Sequence, residues 1–140
     1  MTILAPEHRA FLLEKIRTGK LATVRQDGRP HVTPIWFDLD GDTIIFNTWH
    51  ASVKAVNIRR DSRVSLCVDD ETPPFAYILI EGTATLSTNS EALKYWAARI
   101  GGRYMGEDQA EAYGKRNGTE GELLVRLTPT KVIFKKDIAD

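Results

Sequence analysis

Apolar and polar residues alternate with a period of two along most of the chain. This alternation predicts half-buried β-strands, because successive side chains of a strand point to opposite faces. Such runs occupy residues 21–26, 30–40, 43–48, 63–70, 76–87, 122–129 and 131–136. The runs predict a mainly β fold with six or seven short strands. Because tight turns join most of them, the pattern favours an antiparallel barrel over a parallel sheet.

Four segments have helical spacing and are expected to flank the barrel. Residues 6–18 are the first, because Pro6 suits a first helical turn and Ile16 continues an apolar stripe that Gly19 ends. Further helices are predicted over residues 51–60 and 89–101, with a short helix near 107–114. In the second helix the apolar residues do not form one stripe, so we expect it to pack on two sides.

Local turn chemistry adds two expectations about the second strand. Asp27-Gly28 predicts a two-residue type I′ turn, in which both central residues have positive φ. Further along, His31, Thr33 and Ile35 are expected to share one face. Pro34 has no N–H to donate to a ladder, so its strand is expected at a sheet edge or at a bulge.

Composition narrows the class of protein. The 140 residues carry 19 Lys+Arg and 19 Asp+Glu, a net charge of +0, so the whole surface is not built to bind nucleic acid or anionic lipid. We expect one domain over residues 1–140.

Cys67, as the single cysteine, excludes an internal disulfide, and the three histidines lack metal-ligand spacing, so no metal is expected. Without an apolar run of membrane-spanning length or a signal-like segment, a cytoplasmic protein is expected.

The strongest chemical signal lies between residues 47 and 64. A predicted strand ends at Thr48, Ser52 precedes a predicted helix, and Lys54 lies in its first turn. Helix N-termini bind phosphate through free backbone N–H groups, and a lysine supplies the compensating charge. Further cationic or amide side chains follow: Asn57, Arg59, Arg60 and Arg63. The segment predicts an anion site. The alternative interpretation is that these basic residues form a solvated helix face without a ligand.

A second signal is the segment Thr33–Trp36. A strand interrupted by Pro34 leaves backbone groups free to bind a flat heteroaromatic ring, whereas Trp36 could instead pack in the core or at a dimer interface. His50, beside the predicted anion site, is a weak candidate proton donor. The alternative interpretation is that His50 is an exposed turn residue without a catalytic role.

The order of these motifs resembles a known family. LATVRQDGRPHVTPIWF is followed by IIFNT, then by SVKAVNIRRDSRVSL, then by YILIEGTATL. This order resembles the split β-barrel, flavin-binding family of the pyridoxamine 5'-phosphate oxidase type, and within it the single-domain branch that uses the deazaflavin coenzyme F-420. The resemblance implies a six-stranded antiparallel barrel of the FMN-binding type and a homodimer with the cofactor at the subunit interface.

The resemblance also assigns roles to residues. Thr48, Ser52 and Lys54 match positions that hold the cofactor phosphate, and Asn57 and Arg60 match more weakly. The backbone of Thr33, Pro34, Ile35 and Trp36 matches the segment along the cofactor ring. Arg59 joins this set as part of a basic cluster of Lys54, Arg59, Arg60 and Arg63, which favours F-420 because its polyglutamate tail adds carboxylates.

The function implied is an F-420-dependent oxidoreductase that transfers a hydride between the deazaflavin and an unsaturated small-molecule acceptor. The alternatives are an FMN-dependent flavin reductase or oxidase and a non-catalytic cofactor-binding barrel. The C-terminus, KVIFKKDIAD, lacks the basic motif of pyridoxamine phosphate oxidases proper. A nucleic-acid partner is not expected, because the basic cluster lacks interleaved stacking aromatics.

Overall fold

The computed structural model describes residues 3–140 and contains strands in the middle and helices on the outside. The strands are β1 (Gly19–Val24), β2 (Pro30–Ile35), β3 (Asp38–Asp40), β4 (Thr43–Trp49), β5 (Arg63–Asp70), β6 (Ala76–Ser87) and β7 (Glu122–Lys135). The helices are α1 (Pro6–Leu13), α2 (Val53–Arg60), α3 (Ser90–Met105) and α4 (Ala110–Asn117), with a 3₁₀ turn over Glu107–Gln109. No helix in this part of the chain is both long and apolar enough to cross a membrane.

The strands pair antiparallel in the order β2-β1-β5-β6-β7-β4-β3. Laid flat, the two outer strands would lie about 29 Å apart, at about 4.8 Å per strand. Only Trp36 and Phe37 separate the end of β2 from the start of β3, and this link reaches about 11 Å at most. The sheet must therefore curl until its two edges approach each other. The prediction of a mainly β, six- to seven-stranded antiparallel split barrel is confirmed.

Two apolar clusters hold the barrel and its helices together. The first fills the barrel and includes Phe37, Phe46 and Leu66, each fully buried. The second lies outside the barrel, where Ile45 of β4 and Leu124 of β7 pack against α3. Because successive strand residues face opposite sides, β4 and β7 supply both clusters.

The predicted strand over residues 30–40 is two strands rather than one. At the break, the Phe37 N–H donates to the Tyr104 hydroxyl (3.2 Å), and the Phe37 carbonyl accepts from Arg103. Both partners belong to α3, so this backbone leaves the ladder without losing its hydrogen bonds. Pro34 lies on β2, which is a sheet edge, as predicted.

The predicted helix over residues 6–18 ends early, at Leu13. Arg17 folds back and donates to the Phe11 carbonyl (2.6 Å), which satisfies an acceptor that the helix end would leave free. Ile16, expected on the buried stripe, is 56% exposed. A tertiary contact therefore ends this helix before its apolar pattern does.

The turn at Asp27-Gly28 also differs from the predicted type I′ geometry. Only Gly28 has positive φ (90°), and its N–H donates to the Arg25 carbonyl (2.9 Å). The Arg25 N–H in turn donates to the Arg29 carbonyl (2.9 Å). These bonds enclose a three-residue loop, in which a type I turn is followed by one left-handed residue.

The two strands predicted over residues 122–129 and 131–136 form one strand, β7, and the predicted short helix near 107–114 is α4, preceded by the 3₁₀ turn. Pro129 is tolerated inside β7 because the register shifts opposite it, between Glu81 and Gly82. A side chain at Gly82 would place its Cβ 2.2 Å from the Thr128 carbonyl oxygen. Glycine is therefore required for this close approach.

Candidate functional site

The N-terminus of α2 brings together three of the residues predicted to bind phosphate. Ser52 caps the helix, its Oγ accepting from the Ala55 N–H (3.2 Å), and the Thr48 and Ser52 hydroxyls are 2.8 Å apart. Lys54 follows in the first turn. Among residues 3–140, no acceptor bonds the backbone N–H of Val53 or Lys54. The helix therefore presents two free donors beside a cation.

The Lys54 ammonium has no close ionic partner among the described residues. Its side chain is half-buried, and no carboxylate of the described residues lies within 4.0 Å of its ammonium. Burial lowers the Lys54 pKa, and the more distant Glu122 carboxylate partly opposes that change. Glu122 accepts from the Asn47 amide (2.9 Å), and burial raises its own pKa. A partly desolvated cation with no close partner is suited to an incoming anion.

Asn57 and Arg60 attach α2 to the barrel instead of facing open space. Asn57 is 4% exposed, and its Nδ2 donates to the Thr23 hydroxyl (3.0 Å). Arg60 donates to the Val24 carbonyl and to Asn57 Oδ1. Both side chains are therefore committed to contacts within the protein.

The remaining basic residues, Arg63 and Arg59, have surroundings of their own. Arg63 forms an ion pair with Asp61 (2.8 Å), and its hydrogen bonds lower the Asp61 pKa to about 2. Arg59 lines a cleft bounded by α3, α4 and the start of β7. Arg60 and Arg63 are thus engaged by partners within the protein, which weakens the argument for F-420 from a basic cluster.

The segment Thr33–Trp36 divides between the core and the surface. Ile35 is buried in the barrel, whereas Pro34 is exposed at the sheet edge. The Trp36 ring is stacked on Tyr104, with 5.1 Å between centroids and an interplanar angle of 4°. The Trp36 side chain therefore packs on α3, in line with the alternative interpretation of Trp36 as a packing residue. Only its backbone remains a candidate contact for the cofactor ring.

Two polar atoms on the inner face of β2 have no hydrogen-bond partner. These are His31 Nδ1 and Thr33 Oγ1, the two side-chain atoms in the described part of the chain that are buried and unpaired. Burial, Arg25 and Lys54 together lower the pKa of His31. Thr33 was predicted to contact the cofactor through its backbone, whereas His31 was not predicted as a site residue. The sequence feature that could have indicated both side chains is their position on the same strand face as Ile35, which is buried.

His50 lies in the same cleft as Arg59. Its ring is exposed, and Nδ1 is 3.0 Å from the Gly121 carbonyl oxygen. The cleft has a volume of ≈ 1180 Å³, and its lining includes neither Lys54 nor any residue of β2. Apart from Arg59, the predicted cofactor residues lie instead on the face formed by β2, the end of β4 and α2.

This face has the donor set that a phosphate-bearing ring cofactor requires. The first turn of α2 offers two backbone N–H groups and an ammonium for a phosphate. The inner face of β2 offers two polar atoms that nothing in the described chain satisfies. Unsatisfied buried polar atoms are uncommon in native proteins and require an explanation. The residues present therefore fit such a cofactor.

Comparison with known proteins agrees with the fold and the motif order. A conserved Mycobacterium tuberculosis protein, Rv2991, is 28% identical over 97% of this chain and 87% of that one, with a TM-score of 0.82. An F-420 reductase is 27% identical over 92% and 98%, with a TM-score of 0.72. A heme storage protein of Vibrio cholerae (23%, TM-score 0.72, 95% and 94%) shares the fold. Residues 4–136 match the family model of pyridoxamine 5'-phosphate oxidase, and the chain belongs to that family.

Proposed function

We propose that this protein is an F-420-dependent oxidoreductase whose phosphate site is the N-terminus of α2. The observation that carries the proposal is the half-buried Lys54 side chain, which within residues 3–140 has no close carboxylate and shares the first turn of α2 with two backbone N–H groups that no acceptor bonds. Thr48 and Ser52 shape this turn through their paired hydroxyls. The backbone of residues 33–36 would lie along the cofactor ring.

The preference for F-420 over FMN rests on the similarity to an F-420 reductase over nearly its whole length. FMN remains the alternative, because the anion site described above would accept either phosphate. A non-catalytic barrel is a further alternative, in keeping with the heme storage protein that has the same fold.

When bound, a reduced deazaflavin supplies a hydride to an unsaturated small-molecule acceptor. The chain's contribution is to bind and orient. Lys54 and the α2 backbone fix the phosphate, and β2 provides one wall for the ring. We assign no proton transfer to His50, because its ring is exposed and its Nδ1 already lies 3.0 Å from the Gly121 carbonyl oxygen.

We further propose that a second copy of the chain completes the site. Val53 and Val56 of α2 are each 47% exposed, and Val32 of β2 is 61% exposed. The expected packing of α2 on two sides is therefore not met within one chain. A homodimer would cover these residues and enclose the face that holds Lys54. Light scattering on the wild type and on Val56→Glu tests this, with a dimer expected for the wild type and a monomer for the variant.

Parallel titrations with F-420 and FMN test the cofactor assignment, and they should be run at low and high salt. We expect tight binding of F-420 that weakens with salt, because a phosphate held by one ammonium at an open face is screened. Preferential binding of FMN would replace the deazaflavin assignment. Binding of neither cofactor would contradict the proposal.

A further inference from the structure

His31 and Thr33 form a polar pair on a strand face that is otherwise apolar. They lie two residues apart on β2, so both point inward with Ile35. His31 Nδ1 and Thr33 Oγ1 are buried without partners, whereas His31 as a whole is only half-buried. The opposite ring nitrogen, Nε2, is not among the buried unpaired atoms and makes no hydrogen bond within residues 3–140. His31 Nε2 therefore has accessible surface and is free to meet a ligand.

The register places this face next to the phosphate site. Thr23 of β1 pairs with His31, and the Thr23 hydroxyl accepts from Asn57 of α2. Lys54 lies three residues before Asn57, on the neighbouring turn of the same helix face. The Lys54 ammonium and the His31 ring are thus adjacent along the join between α2 and the β1–β2 hairpin.

The surroundings of His31 determine its tautomer. A proton on Nδ1 would be a buried donor with no acceptor, which costs more than a buried lone pair in the same position. The positive charges of Arg25 and Lys54 oppose a second proton on the ring, and they and burial lower the His31 pKa. A neutral ring with its proton on Nε2 satisfies both constraints.

We infer that His31 is a binding residue that presents a neutral Nε2–H donor to a carbonyl oxygen of the cofactor ring. The inference rests on the proposed function, because it deepens the assignment of the same site. A ring carbonyl fits better than the phosphate, since the phosphate has Lys54 and the α2 backbone. Flavin and deazaflavin rings both carry such carbonyl oxygens, so the donor serves either cofactor.

The first test needs no cofactor. Nitrogen-15 NMR of histidine-labelled protein near pH 7 identifies the tautomer, with His31→Gln used to assign the signal. We expect an Nε2–H ring that titrates at lower pH than an exposed histidine. An Nδ1–H tautomer, or a charged ring at neutral pH, would overturn the inference.

The second test is a matched pair of variants in the cofactor titration. In His31→Gln the side-chain amide can reach the Nε2 position, whereas in His31→Asn it can reach only the Nδ1 position. We expect binding within about threefold of wild type for His31→Gln and about tenfold weaker for His31→Asn, the range of one lost hydrogen bond. Matching melting temperatures of the two variants would show that the difference is not one of folding.

The outcomes separate the two proposals. If Lys54→Met weakens binding and His31→Asn does not, the His31 inference is wrong and the phosphate site stands. If both His31 variants weaken binding equally, the donor position is wrong. If the wild type binds neither F-420 nor FMN, the proposed function fails, and with it the ligand role of His31.

Discussion

Replacing Lys54 by Met separates a binding role from a structural one. The substitution keeps the length of the side chain and removes its charge. In the folded protein the Lys54 ammonium is half-buried without a close carboxylate, and burial lowers its pKa. Since the folded state disfavours that charge, Lys54→Met should leave the melting temperature unchanged or raise it.

The same variant should weaken phosphate binding strongly. A hydrogen bond between charged partners contributes about 1.5–3 kcal/mol, so its loss should raise the Kd about 10- to 140-fold. Fluorescence titration of F-420 or FMN measures this Kd, and calorimetry measures the melting temperature. Lys131→Met, which removes an equal charge from an exposed position on β7, is the control.

Three results would refute this reasoning. An unchanged Kd in Lys54→Met would show that the phosphate does not bind at α2. A lower melting temperature with an unchanged Kd would show that Lys54 is a structural residue. A Kd that rises equally in Lys131→Met would attribute the effect to net charge alone.

Further substitutions test the surroundings of the site. Asn57→Ala should lower the free energy of unfolding, measured by chemical denaturation, by about 1–3 kcal/mol, because it leaves the buried Thr23 hydroxyl unpaired. The control is Arg59→Ala at an exposed position, which should change stability by less than about 0.5 kcal/mol. Thr33→Val removes a buried unpaired hydroxyl and should raise the melting temperature; a decrease would mean that the hydroxyl has a partner within the protein. Burial raises the Glu122 pKa from 4.5 because it makes ionisation of the carboxylate less favourable in the folded than in the unfolded state. The protein should therefore lose stability as the pH rises above that value. Glu122→Gln should therefore be more stable than wild type near pH 7 and equal to it near pH 4, and an equal difference at both pH values would contradict the burial argument.

The strands were largely predictable because each buries one face. The bounds of β5 and β6 coincide with the predicted residues 63–70 and 76–87, where alternation is regular and turn residues lie at both ends. The break between β2 and β3 was not predictable. The alternation continues through Trp36 and Phe37, and only Tyr104 and Arg103 of α3 remove this backbone from the sheet.

The candidate site was predictable in part. Thr48, Ser52 and Lys54 are consecutive parts of a strand-to-helix turn, so local sequence was sufficient to place them together. The basic cluster was a weaker inference, because adjacent helical residues point in different directions and their partners are distant in sequence. Arg60 reaches Val24 and Arg59 reaches the α3–α4 cleft, contacts that no local pattern reveals.

An experimental structure of the protein with bound F-420 tests the central claim most directly. The account predicts a phosphate oxygen within hydrogen-bonding distance of Lys54 Nζ and of the backbone N–H of Val53, with the ring along residues 33–36 of β2. A cofactor bound instead in the cleft between α3 and α4, beside Arg59 and His50, would contradict it.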